Sequence, residues 1–276
     1  MTILAIDFMN LCHRARSGFL AGDFPVVYNF FRGFRALITQ FNPSRVYVAL
    51  EGHPAKRHQL LGEYKANRKM QADDPKMAEM RKFFAQKDII VDMLTKYFPV
   101  SVVRHPTSEA DDTIANLACK ASTAINWTVV SSDTDFIQLL HGRPNIKLYN
   151  PIKKVYVEEP SYDYVLWKAL RGDASDNIPG LPGCGDKTAE KLILGPVDDL
   201  AVFLKQGENA ELFNRNIELI TFTQWSHDDA MSMTSSAPVK DWDAVRTSFE
   251  GYGFKSMTNE ESWQKFYSSF DKLWNC

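Results

Sequence analysis

Thr128–Asp135 reads TVVSSDTD, a short apolar, β-branched run that stops in a turn holding two aspartates, Asp133 and Asp135. The run has the composition of a buried strand and the turn that of a strand end. The same grammar recurs along the chain. Thr2–Asp7 (TILAID) is an apolar strand closed by Asp7, and Arg45–Leu50 (RVYVAL) is a β-branched, aromatic strand followed directly by Glu51. Val100–Val103 predicts a further strand. Ser108, read as an N-cap, then opens a helix that carries Glu109, Asp111 and Asp112 at its start and Ile114, Leu117, Ala118 and Ala121 on its apolar face. Helical periodicity fills the gaps at Val26–Phe41, with Arg32 and Arg35 on its polar face, and at Lys76–Tyr97. Ile146–Tyr149 and Val155–Val157 flank a turn and predict a hairpin. Strands alternating with helices predict an α/β fold with a central, mainly parallel sheet flanked by helices.

In an open parallel sheet, ligand sites form outside the carboxyl ends of the strands. Asp7, Glu51, Glu109, Asp111, Asp112, Asp133 and Asp135 all follow strands, so the fold gathers them on one edge although they are far apart in sequence. Any one of them has an ordinary reading, since Asp111 and Asp133 suit helix N-caps. Carboxylates brought within a few ångströms repel, and some stay protonated unless a cation neutralises them. Hard oxygen donors with no His or Cys among them favour Mg2+ or Mn2+ over zinc. With Asp173 and Asp176 the set reaches nine, enough for two ions and their outer shells, as in two-metal phosphoryl chemistry.

Composition narrows the alternatives. The chain has 276 residues, 45% hydrophobic and 24% charged, as expected for a globular protein of one large domain with additions. It holds no apolar run of about 18 residues, the length that a membrane span needs. The opening MTILAID lacks the basic segment and cleavage pattern of a signal peptide and reads as a first strand. Cys12, Cys119, Cys184 and Cys276 are scattered, which reads as free thiols in a reducing compartment and not as a zinc or disulfide framework. The formal net charge of −2 argues against nucleic acid until its distribution is considered. Residues 53–87 carry nine Lys/Arg against four Asp/Glu, whereas residues 195–276 carry seven against thirteen. A phosphate-binding surface is therefore expected in the first two thirds.

Gly172–Lys191 reads GDASDNIPGLPGCGDKTAEK. Gly180, Gly183 and Gly185 let backbone amides approach a ligand, and the helix that follows carries Lys187 and Lys191 behind a favourable N-terminal dipole. This is helix–hairpin–helix grammar, which grips a duplex backbone without reading its sequence. Asp173 and Asp176, just upstream, can point back into the acidic cluster.

The blocks AIDFMNLCHRAR (5–16), EYKANRK (63–69), SEADDTIA (108–115), SSDTDFIQLL (131–140) and GDASDNIPGLPGCGDKTAEKLI (172–193) occur in the order of the 5′-nuclease family, which the chain resembles over most of residues 1–195. That family includes flap endonucleases, viral 5′→3′ exonucleases and the 5′-nuclease domain of bacterial DNA polymerase I. The compact length looks most like a stand-alone viral or bacterial enzyme. The resemblance implies a PIN-like nuclease core at 1–160 with a helical arch at about 62–95, then a helix–hairpin–helix and C-terminal helical region at 161–276. It implies metal-site roles for Asp7, Glu109, Asp111, Asp112, Asp133, Asp135, Asp173 and Asp176. Glu51 stands where many members carry Asp, so its reach to the metal differs by one methylene. Lys65 and Arg68 match basic residues at the foot of the arch that steady the scissile phosphate. Tyr64 is placed to stack on an unpaired terminal base. Arg14, Arg32 and Lys69 join these and the glycine hairpin in the DNA-facing set, and the hairpin is implied to hold K+ through backbone carbonyls.

The implied activity is metal-dependent phosphodiester hydrolysis at a 5′ end or flap junction in DNA, and at RNA–DNA primer junctions. The implied setting is replication, primer removal or repair, by a cytoplasmic monomer without membrane attachment. Two other readings compete. A non-catalytic junction-binding protein of the same lineage requires gaps in the carboxylate set, and a PIN-like ribonuclease lacks the glycine hairpin. Past residue 195 the acidic helices are expected to pack around the hairpin. Trp263, Phe266, Tyr267, Phe270 and Trp274 recur at helical spacing and read as core or a docking face.

Overall fold

The computed structural model describes residues 1–18, 22–68 and 77–274. β1 (Thr2–Asp7) passes into α1 (Phe8–Arg16) without a linker because the Asp7 carboxylate caps the helix, accepting the Asn10 N–H at 3.1 Å. α2 (Pro25–Phe41) begins on a proline, which gives up no needed amide there, and ends at Asn42 in the left-handed region. β2 (Arg45–Leu50), α3 (Ala55–Leu60), α4 (Met77–Tyr97), β3 (Ser101–Arg104) and α5 (Ala110–Lys120) follow. β4 (Asn126–Val130) and the hairpin of β5 (Ile146–Asn150) and β6 (Val155–Val157) complete the first part.

The second part is helical. α6 (Tyr164–Arg171) leads into a two-stranded hairpin, β7 (Gly172–Asp173) and β8 (Ile178–Pro179), and then into α7 (Asp186–Leu194), α8 (Val197–Leu204) and α9 (Asn209–Ile220). α10 (His227–Met231), β9 (Thr234–Ser235), α11 (Trp242–Gly251), α12 (Lys255–Thr258) and α13 (Glu260–Ser268) close the described chain.

The main sheet has the order β6-β5-β4-β1-β2-β3-β9. Its five inner strands are parallel, and the short edges β6 and β9 are antiparallel. Alternation along the strands divides the interior. Leu4, Ile6, Val46, Val48 and Val130 face a core shared with α1, α2 and α4, while Ile3, Ala5, Ala49, Trp127 and Val129 face α5. A third cluster lies under α6 to α9, built on Ala169, Leu170, Ile178 and Leu219, and Tyr64 inserts into it.

Two expectations change. The N-cap of α5 is Glu109, not Ser108: the Asp112 carboxylate accepts the Glu109 N–H at 3.2 Å, and Ser108 Oγ instead accepts the Trp225 indole N–H at 3.0 Å. The region after 195 does not all gather around the hairpin. α8 and α9 do, but β9 adds to the sheet beside β3, and α11 to α13 return to the first core. Trp263, Phe266 and Phe270 are buried there, with Phe266 and Phe270 at 6.3 and 5.4 Å from Phe98. The Trp274 side chain, residues 69–76 of the expected arch and Cys276 lie outside the described residues. Among the described residues no helix is long and apolar enough to cross a membrane.

Phe98 is fully buried, stacks on Phe31 at 5.0 Å and meets Trp242 edge-on, so it joins α2, α11 and α13. Phe98→Ala is expected to destabilise the protein by about 3–5 kcal/mol. Denaturant unfolding measures this, and a loss under about 1 kcal/mol contradicts the packing described.

Candidate metal centre

Asp7, Glu51, Glu109, Asp111 and Asp133 line one cleft of about 370 Å³ at the carboxyl edge of the sheet, together with Asn10, His13, His58, Lys65 and Arg68. Each acid is held by its element. Asp7 caps α1 and accepts the Ser131 hydroxyl at 2.8 Å; Ser131 Oγ in turn accepts the Asp133 N–H at 3.0 Å. Asp133 caps the short helical turn after β4 by accepting the Asp135 N–H at 2.9 Å. Asn10 exchanges two hydrogen bonds with Ser132 and thereby locks α1 to that turn. Glu51 accepts the Ala110 N–H at 3.1 Å from the amino end of α5. Gly52 follows it because the chain there runs against the 105–108 loop: a Cβ would lie 1.9 Å from the His105 carbonyl oxygen.

A second group adjoins the cleft. One carboxylate oxygen each from Asp135, Asp173 and Asp176 lies within 4.8 Å of the others, as a shared cation requires. The β7–β8 hairpin presents Asp173 and depends on two glycines. Gly172 has φ 75°, and a Cβ on it would lie 2.2 Å from Gly180 N; a Cβ on Gly180 would lie 2.1 Å from the Arg171 carbonyl oxygen.

Crowding leaves its mark on the acids. Burial, then the Asp133 charge, pushes Asp7 up to about 6. Loss of water around Glu51, then Asp7, pushes it to about 7, although its side chain still opens to the cleft. Asp111 is raised well above the ordinary range by burial, then Asp133, Asp7 and Glu51. Asp135 rises to about 6 through burial despite Lys168. Asp173 is lowered: burial opposes the shift, but hydrogen bonds and charge from Lys168, with help from Ser175, prevail. A lining dominated by carboxylates, raised by burial and by one another's charge, fits hard divalent cations.

Protein cations offset the remainder. Lys65 pairs with Glu109 and lies 3.5 Å from Asp176, and Arg68 pairs with Asp176. Burial works against the charge of Lys65, but Glu109 and Asp176 outweigh it and raise its pKa. Lys65 has φ 54°, and its N–H bonds the Asp176 carbonyl at 2.9 Å, so the EYKANR stretch is fixed to the 173–177 loop. Lys168, which the sequence reading missed, is buried between Asp135 and Asp173. It was hidden as a polar member of an amphipathic helix. Arg57, also missed, was counted within the basic segment as one more surface charge; it is buried against Glu109 and Asp112.

Four expected residues lie elsewhere or act otherwise. Asp112 is almost fully buried outside the cleft, with both oxygens hydrogen-bonded to Arg57. Tyr64 offers no face for base stacking: it is 3% exposed, and its hydroxyl bonds Glu109 and Asp176. Arg14 and Arg32 share a separate groove between α1 and α2. Lys187 and Lys191 are exposed on α7, Gly183 turns with φ 73°, and Gly185 is the α7 N-cap. Lys69 lies outside the described residues.

Residues 2–165 match the family described as 5′-3′ exonuclease, N-terminal resolvase-like domain. The chain belongs to this 5′-3′ exonuclease family. It is 32% identical over 213 residues to a 5′-3′ exonuclease of Bacillus subtilis, covering 69% of each chain. It is 31% identical over 214 residues to DNA polymerase I of Mycobacterium tuberculosis, covering 70% of this chain and 23% of that one. The match thus spans about a fifth of the DNA polymerase I relatives. The fold is similar to that of the bacteriophage T5 flap endonuclease, solved as a pseudo-enzyme–product complex with DNA and metal ions. That likeness has a TM-score of 0.67 at 19% identity and covers 100% of both chains.

The raised acids set a pH dependence. Their folded values of about 6 to 7 exceed the ordinary 3.8 and 4.5. Their contribution to stability is therefore complete below about pH 4 and lost as pH rises through 6 to 7. In EDTA the melting midpoint is expected to fall by several degrees between pH 5 and pH 8, and magnesium to restore more of it at pH 8. A midpoint in EDTA that rises over this interval, read by differential scanning fluorimetry, contradicts the raised values.

Proposed function

We propose that the chain is a metal-dependent, structure-specific 5′-nuclease, cutting phosphodiesters where a 5′ single strand or flap meets duplex DNA, as flap endonuclease and 5′→3′ exonuclease. The observation that carries this reading is the meeting of acids from four strand ends in one cleft with Lys65 and Arg68 on its wall. A phosphatase for small molecules has less use for the adjoining glycine hairpin with Lys187 and Lys191.

Asp7, Asp111 and Asp133, with Glu51 and Glu109, would hold one Mg2+ or Mn2+ ion, and Asp135, Asp173 and Asp176 a second. When bound, such ions supply hydroxide near neutral pH and neutralise charge on the attacked phosphate. The chain's own groups do the rest. Lys65, kept charged by its carboxylate partners, and Arg68 bind the non-bridging oxygens and stabilise the charge that builds there. Asn10, Ser131 and Ser132 hold Asp7 and the Asp133 turn in register. Gly180, Gly183 and Gly185 would bring backbone groups to the duplex, and hairpin carbonyls would hold K+. Lys187 and Lys191 contact its phosphates, and the Arg14–Arg32 groove extends the basic track. RNA–DNA primer junctions fall within the same backbone-directed recognition. The setting is replication, primer removal or repair in the cytoplasm of a bacterium or phage-infected host, with the protein acting as a monomer.

The test is cleavage of a 5′-flap duplex labelled at its 3′ end, with magnesium, with EDTA, and with Asp133→Asn in magnesium. The expected outcome is a magnesium-dependent cut at the junction, lost in the variant while flap binding remains. Intact DNA under every metal and salt condition, with the flap still bound, overturns catalysis and leaves a junction-binding protein. Lys65→Ala is expected to lower kcat by about 10²–10³ and flap affinity far less; single-turnover rates measured beside binding separate the two.

A further inference from the structure

Arg57 is 5% exposed, and its guanidinium meets three residues on two segments of chain. Nη1 and Nη2 hold Asp112 as a fork at 2.6 and 2.9 Å, Nη1 also donates to Glu109 Oε2 at 2.8 Å, and Nε donates to the Leu219 carbonyl at 2.8 Å. Asp112 accepts the Thr223 N–H at 2.8 Å, so the chain leaving α9 is drawn into the same node. Glu109 shares Oε2 with the Tyr64 hydroxyl and offers Oε1 to Lys65. The contacts of Glu109 on its Oε2 side therefore come from Arg57 and Tyr64, neither of which lies at the cleft surface.

We propose that Arg57 is a positioning residue for the carboxylate centre. It removes Asp112 from the donor set by pairing with it, fixes Glu109 at the cleft, and registers the helical hairpin unit to the cleft through Leu219. The inference rests on the nuclease reading for its consequence in catalysis, but not for its consequence in cation binding. Lysine in its place keeps the charge and loses the planar fork, so it cannot hold Asp112, Glu109 and Leu219 together. Outer-shell partners of this kind change metal affinity or activity by about 10- to 100-fold when altered.

The experiment compares Arg57→Lys and Arg57→Gln with the unaltered chain. Mn2+ binding is read by titration calorimetry, and flap affinity and the magnesium dependence of kcat are measured on the fraction that elutes folded. The expected result for Arg57→Lys is Mn2+ binding weakened at least about tenfold, half-saturating magnesium raised to match, and flap affinity within about twofold. Unchanged Mn2+ affinity in both folded variants overturns the proposal, as does failure of both to fold, which assigns Arg57 to stability alone. If the unaltered chain binds Mn2+ but does not cut, the nuclease reading fails while the calorimetric comparison still decides the role of Arg57.

Discussion

Like charge gathered in a small volume is the constraint around which this molecule is built. Five parallel strands aim their carboxyl ends at one edge, and that edge collects acids from four of the turns that follow. In water such a group repels weakly, but inside a protein the penalty grows as the surroundings lose polarisability. The fold meets it in two ways. Asp112, Asp173 and Asp176 have protein cations beside them, whereas Asp7, Glu51 and Asp111 are raised first by burial and then by the charge of neighbouring acids. The acidic edge is thus divided into a part neutralised from within and a part left to be neutralised from outside.

The partition draws several cations of the nearby basic sequence into the acidic edge. Lys65 and Arg68 are tied to carboxylates, and Arg57 and Lys168 are buried. A surplus of Lys and Arg in 53–87 looks like a surface patch in the sequence. In the fold, three of these residues are counter-ions of the acidic cluster.

Much of this was legible before any coordinates. Strand ends carrying acids announced both the sheet and its functional edge, since period and composition are local signals and the parallel-sheet rule converts them into a place. The β5–β6 hairpin was legible for the same reason. What escaped depends on partners distant in sequence. Arg57 cannot be told from Lys56 without knowing that Leu219 and Asp112 close over it. Tyr64 reads as an exposed aromatic until the 173–177 loop is laid beside it, and Ser108 reads as a cap until Trp225 claims its hydroxyl. The packing of α11 to α13 against α2 and α4 left no local trace, because an apolar stripe on a helix does not name the surface it covers.

The return of the chain after α9 has a mechanical consequence. Residues 164–220 leave the core after the β5–β6 hairpin and rejoin it at Phe222 and Thr223 beside α5, ahead of β9 on the far side of the sheet. They are an insertion tethered at both ends, not a lobe swinging from one linker. A unit carried that way has little freedom to rotate as a body, so whatever it grips is indexed to the acidic edge as a workpiece is indexed to a tool by two clamps. Under the proposed nuclease function, lengthening either tether would change the distance between grip and cut, and the connections of the fold would act as a ruler for the cutting position.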